Sequence, residues 1–350
     1  MPLLRILYLA IGLGLLSWIL AGADLAAVWL HTTSVGVVGI SVVLGLYALE
    51  FLADVAVWQV TFKTIPFRPL WLKRLYVVRM VGEAFNAVTP MASMGGEPVK
   101  VVLLKKYYGI PYGEASASVL LAKTTNLIAL VVFLAGGFLL LLLDSRFSAA
   151  YKSAAGAGLA GFTAVIAVFF LVQRLRVSSR LSARLSRWRF GARIAEALHH
   201  IEAFDDRLAA FYADRRRFAA ARLLALSNWF IGALGIYVTM LFLGAPVTFT
   251  EAWIIEAFAQ LVRAGTFFIP ASIGAQEGAF VLVCAVLTGS PAFGLAAALI
   301  RRFRELVWIS GGLLLGWRFS SRPTRSAPAA AIDDRIAATP RSAGSPGQPR

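Results

Sequence analysis

Hydrophobic residues make up 59% of the 350-residue chain and charged residues only 15%, and the mean hydropathy is +0.74. These values lie outside the range of soluble domains and point to a polytopic membrane protein. The net charge of +16 comes with no nucleic-acid recognition motif, so the excess is assigned to membrane-flanking loops and no nucleic-acid partner is expected. The lone cysteine, Cys284, excludes an internal disulfide and a thiolate metal cluster.

In chain order, an apolar run at 3–22 follows Arg5 and reads as a retained first span, since no small-residue cleavage site follows it. Residues 23–34 hold no Lys or Arg and read as a connection. A second span covers about 35–60; it carries Glu50 and Asp54, one turn apart on one helical face. Lys63, Arg68, Lys73, Arg74 and Arg79 then lead to an interrupted stretch. There 77–88 is helix-like, Pro90 ends the helix, Gly95-Gly96 permit a sharp turn, and 97–108 resumes. Twelve residues cannot cross about 30 Å of hydrocarbon, so the stretch is expected to be a re-entrant hairpin. Spans follow at 115–143 and 154–172, the latter with Gly156, Gly158 and Gly161 for close helix packing.

Residues 173–222 hold twelve basic residues, and Ile194, Leu198, Ile201, Leu208 and Phe211 recur at helical spacing. An amphipathic linker at 173–221 is expected, lying on anionic phospholipid at the cytoplasmic surface or serving as a plain solvated linker. A span at 222–243 precedes a second interrupted stretch, in which 251–269 is broken by Pro270 and Gly274 and 275–288 resumes. The last span, about 293–318, carries Arg301, Arg302, Arg304 and Glu305 well inside. The Ala-, Pro-, Ser- and Arg-rich tail 319–350 is expected to be disordered.

The segments 63–79, 100–106, 173–222 and 318–350 carry 5, 3, 12 and 6 Lys or Arg, against 0, 2 and 0 in 23–34, 144–153 and 244–250. The positive-inside rule then places both termini in the cytoplasm of a bacterial inner membrane. It also makes the two broken hairpins enter from opposite faces. The expected fold is all-α and polytopic, with six spanning helices plus two re-entrant helical hairpins arranged as an inverted repeat; eight plain spans are the alternative. The membrane domain would cover 1–318, its halves at about 35–143 and 222–318.

Polar groups at membrane depth mark function unless they merely pair. In the first hairpin these are Glu83, Asn86, Pro90, Gly96, Glu97 and Lys100; in the second, Arg263, Pro270, Gly274 and Glu277. Proline and glutamate stand seven apart in both, and Glu83 and Arg263 each stand seven before the proline, which raises the prospect of a Glu83–Arg263 pair. Arg301 and Arg302 can each reach Glu305 along one helix, which would leave the other arginines, Arg304 included, for an anionic ligand. Lys123 either joins them or snorkels to the surface. Glu50 and Asp54 suit a proton or ion relay, or pairing with Lys123 or an arginine. His31, His199 and His200 lack metal-ligand spacing, and no nucleophile elbow, phosphate loop or zinc motif occurs, so no metal, no cofactor and no catalytic residue is expected.

Asn86, Pro90, Gly96-Glu97 and Lys100, with Pro270-Ala-Ser-Ile-Gly274-Ala-Gln-Glu277-Gly278 in the second half, resemble the membrane domain of lysylphosphatidylglycerol synthases, a flippase-like family. The resemblance covers about 1–318 and looks closest to stand-alone members associated with hopanoid biosynthesis. It implies translocation of a membrane lipid, with lipid-biosynthesis enzymes as partners and without the soluble synthase domain. Met91-Ala-Ser-Met-Gly-Gly departs from the family's more usual basic residue at that loop and leaves the head group open. The expected activity is therefore alternating-access movement of a charged-head-group lipid between leaflets. The alternatives are an intramembrane transferase on a lipid or polyprenyl phosphate, and a scaffold for lipid-synthesis enzymes.

Overall fold

A computed structural model describes residues 2–88, 95–174, 206–245 and 247–320. Among them the chain is all-helical, without strands. Eleven principal helices follow in order: α1 (Pro2–Ala21), α2 (Leu25–Ser34), α3 (Gly36–Thr61), α4 (Pro69–Val88), α5 (Gly96–Tyr108), α6 (Tyr112–Leu143), α7 (Ala149–Arg174), α8 (Arg215–Phe242), α9 (Phe249–Gly265), α10 (Ala275–Thr288) and α11 (Pro291–Ser320). Pro90, Ser93, His199, His200, most of the 173–221 linker and the tail beyond Ser320 lie outside the described residues.

The helix boundaries follow local chemistry. Pro69 opens α4, and proline suits a first turn whose N–H groups have no partner anyway. Asp24 and Asp214 accept from Ala27 and Arg217 amides at 3.0 and 3.1 Å. Thr248 and Glu251 form a reciprocal box at the start of α9. Gly109 and Gly289 close α5 and α10 in the left-handed conformation, at φ 69° and 75°.

Five described helical stretches are long and apolar enough to cross a membrane: α3, α6, α8, residues 149–171 of α7, and 270–288. The α1–α2 pair makes a sixth if counted as one span, bent by 93°. The bend was not foreseen: 23–34 reads as a connection, yet Asp24 caps it into a helix. α11 is long enough, but its apolar run is broken by Arg301, Arg302, Arg304 and Glu305. Two boundaries also move. α4 begins at Pro69 rather than near 77, and α11 runs through Ser320, past the start assigned to the tail.

Side-chain contacts sort the helix ends into two groups. At one end, Arg217 donates to the Val60 and Phe62 carbonyls at 2.7 and 2.5 Å. There too Thr64 donates to Glu114 at 2.6 Å, Trp71 meets Tyr108 with ring centroids 5.8 Å apart, and Tyr107 reaches the Phe319 carbonyl. At the other end, Arg146 bridges Glu251 at 2.5 Å and the Leu287 carbonyl at 3.2 Å, and His31 stacks near Phe293 at 4.1 Å. The start of α4 and the end of α5 thus meet at the first end, and the start of α9 and the end of α10 at the second. With about 1.5 Å rise per residue, the 13-residue α5 extends only about 20 Å, short of a bilayer core, whereas the 14-residue α10 reaches bilayer length only together with the turn at 270–274 before it.

The packing exchanges partners between halves. α3 packs most heavily on α8; α11 packs on α4, and α6 packs on α9. Of the apolar clusters among the described residues, two are largest. One holds Met240, Ile255, Phe280 and Leu295; the other holds Phe51, Trp58, Leu75 and Leu104. Glu50 on α3 and the charged residues from Arg301 to Glu305 on α11 fall between these clusters, whereas Asp54 lies between Phe51 and Val55 of the second. Leu208 and Phe211, two residues assigned to the amphipathic linker, are buried against Leu121 and Ala221 and so pack into the bundle.

Candidate functional site

In the first hairpin the crossing of α4 and α5 sets the geometry. A side chain on Gly96 would run into the Gly82 carbonyl, and one on Gly82 would lie 2.5 Å from Cε of Lys100. This close approach lets the Gly96 amide donate to Asn86 at 2.7 Å. Asn86 in turn donates weakly to Glu83, at 3.5 Å. Lys100 is buried and pairs with Glu97 at 3.0 Å, while Lys123 on α6 approaches Glu97 at 4.0 Å.

The second hairpin turns on a strained tip. Ala271 and Ser272 have φ 51° and 49°, unusual for residues with a Cβ. Gly274, at φ 80°, admits the Gly12 carbonyl of α1 where a Cβ would sit 2.5 Å from it. Arg302 on α11 holds this tip: it donates to Glu277 at 2.5 Å and to the Ala271 carbonyl at 2.9 Å. Glu277 accepts from the Gly274 amide at 2.8 Å, closing the first turn of α10.

α11 gathers the remaining pairs. Arg301 meets Glu256 at 2.7 Å and Glu305 at 3.6 Å; Arg302 meets Glu305 at 2.9 Å. Arg263 pairs with Glu305 at 3.5 Å rather than with Glu83. Arg304 lies 3.7 Å from Glu50 and over the Tyr47 ring at 4.2 Å. Each arginine expected to be free for an anion therefore already faces a carboxylate. Asp54 takes Arg79 as its partner and also accepts from Asn126 at 2.5 Å, so both α3 carboxylates pair with arginines and neither with Lys123. Glu50 and Glu256 close in over Gly232, 3.5 and 3.8 Å from where its Cβ would be. Tyr47, Glu50, Phe51, Asp54, Arg79, Glu83 and Asn228 line a polar cavity of about 70 Å³.

Sequence reasoning missed Tyr47, Arg79, Asn228 and Glu256 as members of this interior. Arg79 was legible only as one of a basic run, and Glu256 only as a less apolar position. The signal present was a charge every turn or two in α4 and α9, where an apolar face was due.

The polar interior is charge-balanced. Glu50, Asp54, Glu83, Glu97, Glu256, Glu277 and Glu305 stand against Arg79, Lys100, Lys123, Arg263, Arg301, Arg302 and Arg304. Most are well covered, but the Lys123 and Arg263 side chains are 49% and 40% exposed, and each sits at a long ion-pair distance. Among the described residues no group of three His, Cys, Asp or Glu side chains is placed to hold a metal ion. Outside the spanning segments, hydrogen bonds from Arg146 lower the Asp144 carboxyl below its usual range, and Asp144 and Glu251 hold Arg146 protonated.

An all-helical fold with several bilayer-length helices and a buried charge network defines a polytopic membrane protein. The sequence profile of the lysylphosphatidylglycerol synthase transmembrane region matches residues 5–311, and the chain belongs to that family. Among its relatives are two UPF0104 membrane proteins of Methanothermobacter thermautotrophicus. One is 23% identical over 271 residues, covering 72% of this chain and 77% of the relative. The other is 24% identical, covering 71% and 74%. The UPF0104 membrane protein PH1989 of Pyrococcus horikoshii is 25% identical, covering 66% and 72%. No solved structure matches the chain significantly.

Proposed function

We propose that the chain carries a lipid with a phosphate-bearing head group between the two leaflets of its membrane. The observation that carries this reading is the balanced interior with two half-exposed cations in long ion pairs, Lys123 with Glu97 and Arg263 with Glu305. Charges kept at membrane depth need partners, and a loosely paired cation exchanges its carboxylate for a phosphate at small cost. Acyl chains would stay in lipid while the head group passes between the hairpins.

The inverted arrangement of the halves belongs to the same proposal. Its support is the reciprocal packing of α11 on α4 and of α6 on α9, together with hairpins that open at opposite ends of the bundle. The end with Lys63, Lys105, Lys106 and Arg215–Arg217 would face the cytoplasm of an inner membrane. Anionic phospholipid would gather there, and lipid-synthesis enzymes would hand over the cargo on that side.

The test is leaflet exchange of head-group- and chain-labelled phospholipids in liposomes with purified protein. Exchange faster than in protein-free liposomes, slowed about tenfold or more by Lys123→Ala or Arg263→Ala, is expected (about 1.4 kcal/mol per decade). Failure to move any phosphate-bearing lipid overturns the proposal. Recovery of a covalently altered lipid replaces it with the transferase reading.

A further inference from the structure

The cavity between α3, α4 and α8 leaves oxygens of Glu50 and Asn228, and the Nε of Arg79, without hydrogen bonds. Glu50 and Asp54 enter from α3 and Asn228 from α8, near the middle of each helix. The Asn228 side chain is only 7% exposed, and its amide oxygen accepts no hydrogen bond. Oε2 of Glu50 accepts none either, its nearest cation being Arg304 at 3.7 Å, beyond hydrogen-bond length. Buried acceptors left without donors are costly, and such a group in a native fold calls for a missing partner.

The lining itself is negative: three carboxylates, those of Glu50, Asp54 and Glu83, stand against the guanidinium of Arg79, and Arg304 reaches Glu50 only at 3.7 Å. Tyr47 is also part of the lining, and its hydroxyl would be a further oxygen ligand. Hard cations choose such an all-oxygen donor set, whereas soft metals need sulfur or imidazole, which this cavity lacks. Its volume of about 70 Å³ is several times the roughly 10–15 Å³ that one water needs, so an ion fits with part of its hydration shell. A lone proton on Glu50 would satisfy one carboxylate and leave the Asn228 oxygen without a partner.

We propose that this cavity is a sodium site, with Glu50, Asp54, Asn228 and Tyr47 supplying oxygen ligands. A cation there competes with Arg79 for Asp54 and with Arg304 for Glu50. It also turns a balanced interior into one with a single positive excess. Binding of an anion elsewhere in the interior and binding of sodium here then favour each other, by the reciprocity of linked equilibria. That linkage rests on the lipid reading above; the site itself does not.

The experiment measures binding of radiolabelled sodium to the purified full chain in detergent, against choline at equal ionic strength and constant pH. No lipid cargo is present, so its failure is separate from failure of the transport reading. One sodium bound per chain is expected, with a rise in midpoint unfolding temperature in sodium over choline. Glu50→Gln and Asn228→Ala should each weaken binding about tenfold or more, whereas Asp144→Asn, in the loop after α6, should bind as the wild type. Asn228 makes no ion pair, so Asn228→Ala keeps the test open if Glu50→Gln fails to fold. No sodium bound by folded wild-type chain overturns the proposal. So does binding that survives Asn228→Ala, or a stability that follows pH alone and ignores sodium, which would give the carboxylates to a proton.

Discussion

At the scale of single residues, the interior is held by pairs whose members cannot be removed singly. Arg301 and Glu256 are 5% and 1% exposed, and Glu256 is further fixed by Gln260 at 2.7 Å. Glu256→Ala leaves a buried guanidinium without its main partner and should cost about 3–5 kcal/mol, read from thermal or denaturant unfolding in detergent. Glu256→Ala with Arg301→Ala should recover part of that loss, because no uncompensated charge remains. A double variant as unstable as the sum of the two singles would show that the pair does not act as a unit. The Asp144 clasp gives a pH signature of its own. Its folded carboxyl lies below the unfolded value of about 3.9, so its contribution is present above that value and fades as pH falls through the folded one. Acidification below about pH 4 should therefore raise hydrogen exchange in the α6–α7 loop, and Asp144→Asn should remove that dependence.

At the scale of elements, the first hairpin depends on backbone contact between its arms. Gly96→Ala forces the α5 start away from the Gly82 carbonyl and should cost about 1–3 kcal/mol by overpacking. It should also slow lipid exchange, since Asn86, Glu97 and Lys100 move with that crossing. Gly45, in α3, has nothing within 4 Å of its would-be Cβ, so Gly45→Ala should be neutral or gain up to about 1 kcal/mol. Equal effects of the two substitutions on unfolding would refute the contact argument. These elements also show what the sequence made legible. The hydrophobic runs yielded α3, α6, α7 and α8, with ends moved by a few residues, because apolar length is a local property. Arg301 and Arg302 could be paired with Glu305 from spacing along one helix, and the structure shows both contacts. The pairs Arg79–Asp54, Arg304–Glu50 and Arg301–Glu256 were not legible, because each joins separate helices and depends on how those helices pack. α2 was missed for a related reason: its ten residues are too short for a span signal, and an aspartate cap is a weak cue on its own.

At the scale of the whole molecule, the decisive question is which face each hairpin enters from. Cation counts in loops bear on this only through the bilayer, since the protein's own contacts fix the relation of the ends to one another and not to the membrane. Those contacts place Lys63 with the starts of α6 and α8, and Thr250 with Arg146 and the end of α10. Cys284 is the only native cysteine and is buried, so single introduced cysteines report cleanly. Lys63 and Thr250 are both exposed. With the basic end inside, Lys63→Cys should react with an impermeant thiol reagent only after the membrane is opened, and Thr250→Cys should react from outside in intact cells. Ser272→Cys discriminates between the two remaining topologies. If α9 and α10 were full spans, the tip between them would emerge on the cytoplasmic face and react only in opened membranes. As a re-entrant tip covered by α1 at Gly12 and clasped by Arg302, it should resist the reagent from inside. Any slow reaction should come from outside and speed up when Arg302→Ala frees the Ala271 carbonyl. Cytoplasmic reactivity of Ser272→Cys would remove the inverted repeat, and with it the argument that two hairpins deliver one head group from opposite faces.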